Sequence, residues 1–197
     1  MRKLIVATGN TGKMKEVREI VSDLPYEVLS MKEARVAADP EEDGKTFEEN
    51  ALIKARAVAK LLPEGEDAIV IADDSGLEID YLDKAPGIYS ARFMGHDTSY
   101  EIKNQALLDK LAGVPKEKRT ARFVCAIAAV CPDGAEYTTR GTMEGFIAEQ
   151  IAGANGFGYD PIFWVEEYQC TSAELTEEQK NEISHRGKAL RAIKKYL

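Results

Sequence analysis

Histidine and cysteine are scarce in this chain, with two and three residues among 197. Cys125, Cys131 and Cys170 show no CxxC spacing, and only His96 and His185 could join them, which argues against a zinc site of the usual His/Cys type. An odd number of thiols closes no disulfide framework, so free cysteines, read here as core residues in a reducing compartment, are the expectation. Basic residues are also in deficit. Lys plus Arg number 26 against 34 Asp plus Glu, a formal charge of −8, which argues against a broad basic face for nucleic acid. No apolar run approaches membrane-spanning length, and residues 1–10 (MRKLIVATGN) are too short in their apolar part for a signal peptide. Low-complexity segments and internal repeats are absent. The expectation is a cytoplasmic protein with no nucleic-acid and no membrane partner, long enough for one sizeable domain or two small lobes.

What the chain does have centres on residues 69–77, IVIADDSGL. Four apolar residues run into the adjacent carboxylates of Asp73 and Asp74, which reads as a doubly buried strand delivering acids to its end, where ligands of open α/β sheets bind. Asp, Ser and Gly are equally ordinary turn residues, so a plain strand end stands beside the functional reading. Neighbouring side chains of an extended segment point to opposite faces, so Asp73 and Asp74 are expected to have different roles. Adjacent carboxylates repel, and a hard cation such as magnesium suits them.

The chain opens with a strand at residues 4–8, a polar loop from Gly9 to Lys13, and a helix carrying Met14, Val17, Ile20, Val21 and Leu24 on one face. Such a loop can aim N–H groups and Lys13 at an anion, or be a tight turn with a solvated lysine. It is neither a Walker loop nor a GxGxxG fingerprint. A second strand at 26–29 precedes a polar loop holding Glu41, Glu42 and Asp43, a pattern that is ordinarily solvated surface. Thr46 with Glu49 reads as a capping box opening a helix on which Asn50 and Lys54 stand one turn apart and can face the same neighbour. Thr98 with Glu101 reads as a second box. Residues 122–131 and 136–147 read as a hairpin through Pro132, Asp133 and Gly134. In IAGANGFGYDPIFW, from Ile151, glycines lie among aromatics, which fits either close approach to a planar base or core-edge packing. Thr176 and Gln179 open a helix with Lys180, followed by SHRGK at 184–188 and a last helix with Leu190, Ile193 and Leu197. His185 and Arg186 could read a carbonyl-rich base edge or be surface residues between helices.

Six stretches resemble the inosine triphosphate pyrophosphatase family, in the family's order and across almost the whole chain. They are ATGNTGK at 7–13, FEENALIKA at 47–55, ADDSGL at 72–77, APGIYSARF at 85–93, GFGYDPIF at 156–163 and SHRG at 184–187. The acidic loop at Glu41 and Glu42 aligns only loosely. The resemblance implies a single nucleoside triphosphate pyrophosphatase domain over residues 1–197. It implies an α/β fold, a mixed sheet flanked by helices in two lobes with the active site in the cleft between them, and a homodimer. The implied reaction is Mg²⁺-dependent hydrolysis of ITP, dITP and XTP, purine nucleotides with non-standard bases, to the monophosphate and pyrophosphate. Carried over residue by residue, Thr8, Gly9, Asn10, Thr11, Gly12 and Lys13 would hold the phosphates with Lys54 nearby. Asp74 would be the acid at the metal and the attacking water, with Glu42 as a second metal ligand, and Ser75 would touch substrate. Phe157, Gly158, Tyr159 and Asp160 would enclose the base, and Lys180, His185 and Arg186 would complete its recognition.

Three rivals remain at this level. An aspartyl-phosphate phosphatase needs DxD at its first strand, where this chain has TGN. A regulator that holds a nucleotide without cleaving it gains little from paired carboxylates opposing the phosphates. A related pyrophosphatase with another base preference is disfavoured only by the GFGYD and SHRG stretches.

Overall fold

The computed structural model describes residues 2–197. Seven strands form one sheet in the order β2-β1-β3-β4-β5-β6-β7 among the described residues. They are β1 (Arg2–Val6), β2 (Tyr26–Ser30), β3 (Ala68–Ile79), β4 (Thr120–Val130), β5 (Glu136–Ile147), β6 (Phe163–Val165) and β7 (Cys170–Thr171). β1 runs parallel to β2 and β3, whereas β6 is antiparallel to β5 and β7, so the sheet is mixed. The helices are α1 (Thr11–Ile20), α2 (Phe47–Ala59), α3 (Tyr100–Lys110), α4 (Glu177–Ile183) and α5 (His185–Ile193).

Two compact units share the chain. The first takes the chain up to Asp74, Cys125–Gly141 and His185–Leu197, and the second takes Ser75–Val124 and Thr142–Ser184. In the first, Leu4, Val6, Ile69, Ile71, Cys125 and Ile127 pack with Met14 and Val17 of α1 and with Ala189, Leu190 and Ile193 of α5. Ile5 and Val70, which alternation points to the other face, are equally buried. β1 and β3 are therefore covered on both sides, as their unbroken apolar runs require. In the second unit, Leu77, Ile79, Leu107, Leu111, Phe123, Phe163 and Leu175 form a separate core. Cys125 is buried, and the half-buried Cys131 and Cys170 pack against the first and second cores respectively.

Three local expectations are corrected. Asp73 and Asp74 do not end their strand, because β3 continues to Ile79. The partner stops instead: the β1 register ends with Val6 opposite Ile71, so both acids lie just beyond the carboxyl end of β1. Thr46 caps α2 by accepting the Glu49 N–H, but the Glu49 carboxylate reaches Lys45 N rather than closing the box on Thr46. Ser99, not Thr98, caps α3, since the Thr98 hydroxyl donates to Met94 O. The box at Thr176 and Gln179 has both of its hydrogen bonds.

Candidate active site

Strand alternation separates the two aspartates. Asp73 shares its parity with Ile69 and Ile71, which face α1 and α5, and its neighbours follow from that. Its Oδ1 accepts from Lys13 Nζ, and its Oδ2 accepts from Arg186 Nε at 2.8 Å and from the Cys125 thiol at 3.0 Å. Arg186 Nη1 also donates to Glu16 on α1. Burial pushes the Asp73 carboxyl up, but Arg186 and Lys13, with hydrogen bonds from Arg186 and Cys125, hold it well below the usual carboxylate range. Asp73 is thus an ionised internal counter-ion that fixes two cations.

Asp74 points the other way and meets α2. Its Oδ1 accepts from Lys54 Nζ at 2.7 Å, and the same ammonium lies 3.4 Å from Glu42 Oε2. Its Oδ2 is buried with no hydrogen-bond partner. Burial pushes the Asp74 carboxyl up to about 6 against the pull of Lys54. Burial likewise opposes the charge on Lys54, but Asp74 and Glu42 outweigh it and raise the ammonium above its ordinary range. A buried carboxylate oxygen without a donor, beside a second carboxylate, is a donor set for a hard divalent ion. No cluster of three or more His, Cys, Asp or Glu suited to a metal occurs among the described residues. Two carboxylates would leave the rest of such an ion's shell to water and phosphate oxygens.

The loop before α1 is a capped helix start. Asn10 caps the helix by accepting the Lys13 N–H at 3.0 Å, and its own N–H donates to Thr8 Oγ1 at 3.1 Å. This leaves Thr11 and Gly12 to open the helix, where N–H groups lack intrahelical partners and the dipole favours negative charge. A Cβ on Gly9 would meet nothing within 4 Å, so the fold itself does not demand glycine there.

In the second unit, Asp160 is the hub of the glycine-aromatic stretch. Its Oδ2 accepts from Lys180 Nζ at 2.7 Å and from Phe157 N at 2.9 Å, and its Oδ1 accepts from Ser172 Oγ at 2.9 Å. The Lys180 ammonium lies 5.0 Å from the centre of the Phe157 ring. Gly156, at φ +71°, allows this closeness: a Cβ there would fall 2.2 Å from Asp160 Oδ2. Tyr159 is buried, donating from its hydroxyl to Ser90 O at 2.6 Å and packing edge-on against Tyr100. Asn104 on α3 donates to Gly158 O at 3.1 Å. Phe157 and Gly158 are half-buried, whereas Tyr159 and Asp160 are interior supports of the loop.

The fold therefore gathers Lys13, Arg186 and Asp73 into one cluster, Lys54, Glu42 and Asp74 into another, and Phe157, Asp160 and Lys180 into a third. Ser75 is half-buried and follows Asp74 on β3. His185 is buried at the start of α5. Sequence reasoning missed Glu16, Cys125 and Ser172. Glu16 could have been found, being one turn after Lys13 on α1, but a thiol in an apolar strand and a serine distant in sequence carried no signal.

The model of the Ham1 family matches residues 4–196. This chain belongs to the Ham1 family. Among relatives of this Ham1-family chain, a dITP/XTP pyrophosphatase from Clostridium perfringens is 49% identical over 199 residues, covering 100% of this chain and 98% of the relative. One of the same name from Caldanaerobacter subterraneus is 50% identical over 197 residues, covering 100% and 96%. The solved Ham1 protein of Staphylococcus aureus superposes with a TM-score of 0.86 at 42% identity, covering 99% of this chain and 97% of that one.

Proposed function

We propose that this Ham1-family protein is a single-domain, Mg²⁺-dependent, cytoplasmic pyrophosphatase of nucleoside triphosphates, acting on ITP, dITP and XTP as a homodimer. The observation that carries the reading is Asp74, a buried carboxyl with one oxygen held by Lys54 and the other without a donor, beside Glu42. The names of the relatives support the substrate class.

Asp74 and Glu42 would hold the metal, which when bound neutralises phosphate charge and lowers the pKa of a coordinated water. The start of α1 and Lys13 oppose the remaining phosphate charge, and hydrolysis of such a chain is mostly positioning and charge neutralisation. The Asp74 carboxylate takes the proton of the attacking water as its oxygen bonds to phosphorus, and the α–β bridging bond breaks to release pyrophosphate. Phe157 and Gly158 line the base, on a loop that Asp160 and Lys180 hold in shape. Hypoxanthine and xanthine present a carbonyl where adenine presents an amino group, so a donor from the start of α5, where His185 stands, disfavours ATP, while Arg186, held by Asp73 and Glu16, positions that helix.

The test is turnover of ITP, XTP, dITP, ATP and GTP with magnesium, with pyrophosphate and orthophosphate assayed separately. Pyrophosphate from ITP and XTP with little from ATP is expected. Orthophosphate instead would identify a phosphatase, and tight binding without product would identify a nucleotide-binding regulator.

A further inference from the structure

The acidic loop before α2 is assembled by the helix itself. Asn50 Oδ1 accepts from Gly44 N at 2.9 Å, and one turn later the Lys54 ammonium lies 3.4 Å from Glu42 Oε2. The approach is close: a Cβ on Gly44 would fall 2.5 Å from Asn50 Oδ1 and 3.0 Å from Asn50 N. Glu42 is thereby brought beside Asp74, with Lys54 Nζ donating to both. The Lys54 side chain is largely buried, as is that of Asp74, so solvent screens their attraction only weakly.

One ammonium thus serves the two carboxylates that would hold the metal. A divalent ion placed there as well would add two positive charges beside a buried third, with Asp74 and Glu42 the two carboxylates that Lys54 contacts and Asp73 already held by Lys13 and Arg186. Phosphate oxygens remove that conflict by giving Lys54 a second anionic partner. Resting on the function proposed above, we propose that Lys54 is a resident counter-ion that competes with the divalent metal for Asp74 and Glu42. The metal is therefore taken up together with the nucleoside triphosphate and not ahead of it.

Titration of the nucleotide-free protein with Mn²⁺, followed by electron paramagnetic resonance, tests this without turnover. At about pH 8, Lys54→Met is expected to bind Mn²⁺ about tenfold more tightly than the native protein. Lys54→Gln, which keeps a polar group in the same space, serves if the methionine variant does not fold, with circular dichroism reporting the fold of each. A non-hydrolysable ITP analogue is expected to tighten Mn²⁺ binding to the native protein. Folded variants that bind Mn²⁺ no more tightly than the native protein would overturn the inference. Pyrophosphate release from ITP by the native protein would in that case leave the proposed function standing, and its absence would remove the function while the competition could still be measured.

Discussion

At the scale of single residues, the pair Asp73 and Asp74 shows how one register step divides labour. Asp73 is saturated by donors and cations, whereas Asp74 keeps one oxygen without a donor and a carboxyl pushed up to about 6 by burial. A folded-state pKa raised above the ordinary carboxylate value contributes stability that is complete at acid pH and is lost as pH rises through about 6. The direction for activity is opposite, because only the ionised carboxylate can accept a proton. Asp74→Asn is therefore expected to abolish turnover while remaining folded. Its metal-free form, which carries no titrating carboxyl there, is expected to lose less stability between pH 5 and pH 8 than the native protein. Urea unfolding at pH 5 and pH 8 measures the second effect, and kcat/KM of the native protein at limiting metal should rise between those values. Near-normal turnover in the folded variant would remove Asp74 from the chemistry.

At the scale of elements, β5 and α5 meet at Gly141. A Cβ at that position would lie 2.1 Å from His185 O and 2.7 Å from Ala189 N, both backbone atoms of the helix that carries His185 and Arg186. Backbone cannot rotate away as a side chain can, so the helix has to move as a body. Gly141→Ala is expected to cost about 1–3 kcal/mol, the usual penalty of overpacking. It should also lower kcat/KM for ITP, since Arg186 would leave Asp73 and Glu16. Denaturant midpoints and steady-state kinetics read the two effects. An alanine variant with native stability would show that β5 and α5 approach less closely than these distances state.

At the scale of the whole molecule, the acidic balance and the two separate cores are properties of the chain as a unit. β3 and β4 each contribute buried residues to both cores, and β5 passes from the first unit to the second after Gly141. The proposed homodimer predicts a particle of twice 21.7 kDa. Light scattering coupled to size exclusion measures this, and a mass of one chain across the working concentration range would refute it. A net charge of −8 gives the protein's overall field no pull on anionic substrates, so under the proposed function their binding rests on local groups.

Periodicity alone located β1, β2, α1, the hairpin of β4 and β5, and the box at Thr176, because each is decided by neighbours within a few residues. Alternation also foretold that Asp73 and Asp74 would part, and the six matching stretches marked the family. The tertiary structure decided which cation each aspartate meets. That depends on α1, α2 and α5, whose contributing residues Lys13, Lys54 and Arg186 lie 60, 20 and 113 positions from their partners. It also decided that β3 outlasts β1, that Asp160 and Tyr159 are interior supports, and that Cys125 donates to an acid. Local sequence sets which way a side chain points. Only packing sets what is there to receive it.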